Sequence, residues 1–295
     1  MSSANRVSGR QLLLLLAPAL TLVLLLFGGG FAYSVLQSLG WQPLIGKTTL
    51  SLAAYHNLLF SPAYQEVFWS GLGFSLWVSL ASTVISAVLA VLIALLIHQA
   101  AQRSRFWPFV LQFNLPVPHL VAAIGILFLL GQSGLVSRAT AALGITSIPA
   151  DFLVLVRDTN GIGIILAYVW KEMPFIGIIV FGVLKSLNES VVQAAQNLGA
   201  NAWQRFRYIV LPLIAPSVVS SSLVVFAFTF GAYEIPALLG VRYPRVLPVT
   251  ALFLFNDADL NSRAEAMALS VIITLVTSLV IGGYLWLRGL AQRLG

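Results

Sequence analysis

Long apolar runs separated by short polar stretches dominate this chain, and their spacing sets its class. The runs fall at 11–39, 67–97, 106–130, 161–187, 216–239 and 264–287. As a helix rising about 1.5 Å per residue, each can cross about 30 Å of hydrocarbon. An unpaired backbone amide or carbonyl is costly there, so each run must satisfy its own hydrogen bonds as a helix. A membrane barrel would instead show short segments alternating every second residue, and none appears. The pattern predicts an all-α integral membrane protein with about six transmembrane helices. Arg6 and Arg10 before Leu12 to Leu16 resemble the start of a signal peptide, but apolar character continues through Leu26 without a cleavage site. The first run therefore reads as a retained helix.

Charge then orients the helices. Of the side chains, 59% are hydrophobic and 8% charged, against about 25% charged in an average soluble domain. The net charge of +7 is spread between apolar runs rather than clustered on one face, so no nucleic-acid partner is expected. With the N-terminus inside, the inner segments hold Arg6, Arg10, Arg103, Arg105, Lys185, Arg205, Arg207, Arg288 and Arg293 against the single acid Glu189. The outer segments balance their bases with acids. The positive-inside rule thus puts both termini in the cytoplasm of a multi-pass inner-membrane protein. The outer loops lack a second globular core, so the expected organisation is an N-terminal helix and external loop over 1–64, one membrane domain over 65–288 and a tail over 289–295.

The absence of cysteine excludes disulfides, thiolate nucleophiles and cysteine-ligated metals. His56, His98 and His119 are too dispersed for a metal-binding helix motif, so no metal and no cofactor is expected. Gly40 to Thr48 superficially suggests a phosphate loop, but five residues separate Gly40 from Gly46 where the motif needs four, and no buried strand precedes it. The chain is not expected to bind ATP or to be an enzyme.

Between the fourth and fifth runs, Ser190 to Leu198 and Ala202 to Val210 read as two short helices joined at Gly199, with Pro212 starting the next descent. Gln193-Ala194-Ala195, then Gly199 after three residues, then Ile209-x-Leu211-Pro212 after nine, resembles the EAA loop of ABC importer permeases. The charge pattern independently puts this loop in the cytoplasm. The resemblance implies the six-helix type I importer fold over about 64–287, and a coupling helix at Gln193, Ala194, Ala195, Gly199, Ala202, Ile209, Leu211 and Pro212. Gln193 departs from the family's usual glutamate. The implied partners are cytoplasmic ABC ATPase subunits, a second permease, identical or homologous, an external solute-binding protein and the lipid bilayer.

Ionisable groups inside hydrocarbon are costly and therefore informative, which singles out Lys171, Glu172 and Glu234. Lys171 and Glu172 are adjacent and point about 100° apart on a helix, so they cannot simply face each other, and partners on other helices are expected. Gly231 and Pro236 predict an irregular helix end around Tyr233 and Glu234. Tyr233, Glu234, Glu172 and Lys171 are the candidate lining of a translocation path. The stretch Gly231 to Gly240, with Tyr243-Pro244 and Leu247-Pro248, resembles permeases of the spermidine/putrescine group, which implies a polyamine. Sulfate, thiamine, ferric iron and phosphonate are the alternatives, and a membrane-embedded assembly protein is the reading from another class.

Overall fold

A computed structural model describes residues 9–101 and 106–294. Arg6, Arg103 and Arg105 lie outside them. The helices are α1 (Gly9–Val23), α2 (Gly29–Ser38), α3 (Ala53–Phe60), α4 (Gln65–Ala101), α5 (Phe106–Gln112), α6 (His119–Leu130) and α7 (Leu135–Ala142). They continue as α8 (Ile162–Lys185), α9 (Glu189–Asn197), α10 (Ala202–Arg205), α11 (Leu211–Gly231), α12 (Glu234–Leu239), α13 (Leu247–Phe255) and α14 (Arg263–Leu294). Among the described residues no strand forms. Among the described residues six stretches are long and apolar enough to cross a membrane: Gln11–Ser38, Gln65–His98, His119–Ala142, Ile162–Lys185, Ala202–Gly231 and Leu260–Leu290.

Two spans differ from the expectation, the third lying at His119–Ala142 rather than 106–130 and the fifth at Ala202–Gly231 rather than 216–239. The third run is not continuous over 106–130, because the helix breaks between α5 and α6. Pro116 and Pro118 have no N–H, so the carbonyls of Gln112 and Asn114 lack their i+4 donors. The fifth helical stretch begins at Ala202 rather than 216, because α10 passes through a π-helical turn at Phe206–Val210 directly into α11. Pro212 comes just after this turn, so its missing N–H falls at the junction where the π-helical and α-helical hydrogen-bond ladders meet. At its far end α11 stops at Gly231, and α12 starts after a two-residue gap.

The chain divides into two compact units, Met1–Gln65 with Ala251–Ile272, and Glu66–Thr250 with Ile273–Gly295. In the first, Ser38 Oγ bonds Tyr55 Oη (2.7 Å) and Asn57 Nδ2 donates to Glu265 Oε1 (2.9 Å). The hydrophobic window of Gln11–Ser38 buries none of its residues. Leucines over 12–26 are exposed, and such a surface requires lipid or another membrane helix as its solvent.

In the second unit α8 is the central helix, two-thirds buried over its hydrophobic window. Its first half packs Ile164 and Tyr168 with Phe74, Val78, Ile235 and Leu239. Its second half packs Ile176, Val180 and Leu184 with Ala90, Ala94, Ile214 and Val225. Small residues allow the close approach. A Cβ on Gly161, whose φ is +74°, would meet Val78 Cγ2 at 2.9 Å. Lys171 and Glu172 lie between these two apolar clusters.

Candidate coupling loop and intramembrane polar cluster

Two capped helices build the loop after α8. Asn188 Oδ1 accepts from the Ser190 amide (3.1 Å) and starts α9. Asn201 and Gln204 form a reciprocal capping box, Gln204 N–H to Asn201 Oδ1 (2.9 Å) and Asn201 N–H to Gln204 Oε1 (2.8 Å), and start α10. Between them the Gly199 N–H donates to Gln196 O (2.9 Å) and the Ala200 N–H to Ala195 O (3.0 Å). That is a Schellman closure with Gly199 at its left-handed position, φ +85°. A Cβ there meets nothing within 4 Å, so backbone conformation rather than crowding requires glycine.

The loop presents apolar surface. Leu198 is 89% exposed and Trp203 68%. Ala194 and Ala202 are exposed, Ala195 and Ile209 half-buried, and Leu211 and Pro212 enter α11. Behind the loop lies a half-open cavity of about 430 Å³ lined by Gln193, Ala202 and Arg205, by Leu95 and His98 of α4, and by Leu184 at the end of α8.

The second site sits at mid-length of α8, where three successive residues bridge to the break between α5 and α6. Asn114 Nδ2 donates to Trp170 O (2.6 Å). Lys171 Nζ donates to Asn114 O (3.0 Å) and Leu115 O (2.8 Å). Glu172 Oε1 pairs with His119 Nε2 at 3.0 Å. The His119 ring also packs against Phe228 of α11, centroids 4.6 Å apart and planes tilted by 41°. Lys171 therefore bonds not to an acid but to carbonyls stranded by the proline break. Glu172 finds the cross-helix partner that the adjacent pair was expected to need.

One turn before Glu172, the fully buried Tyr168 hydroxyl has no hydrogen-bond partner and lies within electrostatic reach of both Glu172 and Glu234. Glu234 is half-buried in the first turn of α12, which packs against α6 and α8. Tyr233 is 46% exposed. Sequence reasoning left His119, Asn114 and Tyr168 out of the site. A signal for His119 was present, an imidazole following Pro118 inside an apolar run. Tyr168 and Asn114 carry no comparable local mark. Among the described residues no group of three His, Asp or Glu is placed to hold a metal.

Comparison with known proteins agrees with this architecture. The family described as binding-protein-dependent transport system inner membrane component matches residues 12–294. An inner membrane ABC transporter permease of Escherichia coli (strain K12), YdcU, is 27% identical over 76% of this chain and 76% of its own. The spermidine/putrescine permease PotB of Haemophilus influenzae is 28% identical over 65% of this chain and 64% of its own. Further relatives carry sulfate or trehalose in their names. In the crystal structure of a bacterial alginate ABC transporter with its alginate pentasaccharide-bound periplasmic protein, one chain has the same fold. It superposes with a TM-score of 0.76 and 17% identity, covering 96% of this chain and 94% of that one.

Proposed function

We propose, from the premise that this chain belongs to the family of binding-protein-dependent transport system inner membrane components and is a permease subunit of an ABC importer, that its 189–212 loop couples it to a separate ATPase and that it conducts a polyamine. The observation that carries the coupling assignment is the Schellman-closed pair of helices, with Leu198 and Trp203 exposed beside Gly199. Because α10 continues without a break into α11, displacement of the loop by ATPase closure is passed directly to a membrane helix. ATP hydrolysis belongs to the cytoplasmic partner. A second permease and an external binding protein complete the complex, and the charge bias of the segments puts both termini inside.

The polyamine reading rests on Glu172 and Glu234. Glu172 lies inside the fourth span, whereas Glu234, expected inside the fifth, falls three residues past its end at Gly231; carboxylates within and at the mouth of the bundle would offset the desolvation of a passing ammonium. The spermidine/putrescine relative supports it, while sulfate and sugar names among the relatives keep an anionic or neutral solute as the rival outcome.

Gly199→Val tests the coupling. A β-branched residue at φ +85° is strained by its own backbone, yet the site is open and outside the packed helices. The variant should reach the membrane, while binding-protein-stimulated ATP hydrolysis and solute uptake fall together. Normal hydrolysis with normal uptake would remove this loop from the coupling role.

A further inference from the structure

We propose that the pocket bounded by α6, α7 and the segment entering α8 binds a small organic oxyanion, one carrying a carboxylate, sulfonate or phosphate head on a short apolar body. This pocket lies at the opposite end of α8 from the 189–212 loop. Its volume, about 510 Å³, falls in the range of small-molecule sites. Phe128, Val154 and Val156 give it apolar walls, and Arg138 and Arg157 give it charge.

Among the described residues neither guanidinium makes an ion pair, and the acids of the same connection bond to backbone amides instead. Asp151 Oδ2 accepts the amides of Ser147 (2.9 Å) and Ile148 (3.0 Å). These bonds, Ile148 first, keep its carboxyl below the ordinary range, so it stays an anion held by backbone. Asp158 is buried and accepts the amides of Asn160, Ile162 and Gly163 at the start of α8. Both acids keep their negative charge but spend these hydrogen bonds on backbone amides, so neither is in direct contact with the two guanidiniums of the pocket.

The arginines are also positioned. Arg157 is the one described residue other than glycine with positive φ, +60°. Its N–H is tied to Leu239 O at 2.8 Å, and strain of this kind persists where surrounding structure enforces it. Arg138 Nε donates to Ser133 O (3.2 Å), which fixes the fork and leaves its terminal nitrogens for a bidentate oxyanion. A lipid phosphate would reach exposed arginines on any surface and needs no apolar-walled cavity, so concavity favours a small solute. The proposal does not depend on which solute is imported.

The natural absence of cysteine makes the test direct. Ser133→Cys in the full chain, held in lipid nanodiscs, is reacted with methanethiosulfonates bearing either a sulfonate or a trimethylammonium group. Rates are normalised to those of a free thiol. Two nearby guanidinium charges in a largely aqueous dielectric and near-physiological salt should favour the sulfonate reagent by about three- to tenfold. Arg138→Gln with Arg157→Gln should abolish that preference with an unchanged size-exclusion profile. Millimolar inorganic sulfate should slow sulfonate labelling more than chloride of equal ionic strength, and only when both arginines are present. Ser147→Cys, beside Asp151, should show no preference for the anion. Equal normalised rates at Ser133→Cys, or sulfate no better than chloride, would overturn the proposal. So would sulfate protection confined to discs of phosphate-free lipid, because lipid phosphate would then be the occupant.

Discussion

Replacing Lys171 by methionine tests whether the buried ammonium holds the α5–α6 break or serves only the passing solute. Lys171 is 5% exposed and donates to the carbonyls of Asn114 and Leu115 at 3.0 and 2.8 Å. Asn114 O would have taken its helical bond from position 118, which is proline. It keeps one other donor, the Val117 amide at 3.1 Å. Leu115 O keeps none among the described backbone bonds, so Lys171→Met strands it. Lys171 makes two such bonds, and each, coming from a charged group, contributes about 1.5–3 kcal/mol. Removing a buried charge gives part of that back through relieved desolvation. A net loss of about 2–3 kcal/mol follows. At roughly 2–4 °C per kcal/mol for a unit of this size, the midpoint of thermal unfolding in detergent, followed by tryptophan fluorescence, should fall by about 4–12 °C. Methionine matches the length of the lysine stem, so lost packing does not confuse the result. An unchanged or raised midpoint, with uptake lost, would refute the staple and assign Lys171 to the path alone.

Glu234→Gln should lower spermidine uptake in a reconstituted importer while the complex still assembles. Unchanged uptake would return Glu234 to a structural role, and selective loss of an anionic solute would reject the polyamine. Gln193→Glu restores the family's usual acid at an exposed position and should leave stimulated ATP hydrolysis at or above its starting level. A sharp fall would show that the neutral amide is required there. For orientation, single cysteines at Thr48, Ser147 or Asn256 should react with an impermeant thiol reagent in intact cells, and one at Asn201 only after permeabilisation. Labelling of Asn201 from outside would reverse the topology and remove the 189–212 loop from the ATPase side.

What could be read from the sequence divides along a physical line. The six spans were legible because hydrocarbon leaves a long apolar run no alternative to the helix. The bend at Gly199 was legible because a left-handed position selects glycine whatever surrounds it. Both are local constraints. The bounds of the third and fifth spans failed, because apolar character marks where a segment can lie in lipid and not where its hydrogen-bond ladder is cut. Pro116 and Pro118 cut it inside one run, whereas Pro212 stands at the π-turn junction and Pro216 lies inside α11 without ending it. The polar cluster was half legible. Adjacency of Lys171 and Glu172 showed that neither could serve the other, but their partners come from α5–α6, more than 50 residues earlier in the chain. Nothing local in Asn114 or His119 encodes that meeting. It arises because the carbonyls exposed by the proline break need a donor at the depth where α8 supplies an ammonium. A buried lysine in a membrane helix can therefore be the consequence of a proline elsewhere. The comparison that separates such a staple from a transport residue is whether removing the proline break relieves the need for the charge: Pro118→Ala, which restores an i+4 donor to Asn114 O, should soften the thermal cost of Lys171→Met if the ammonium exists to satisfy that break, and leave it unchanged if it does not.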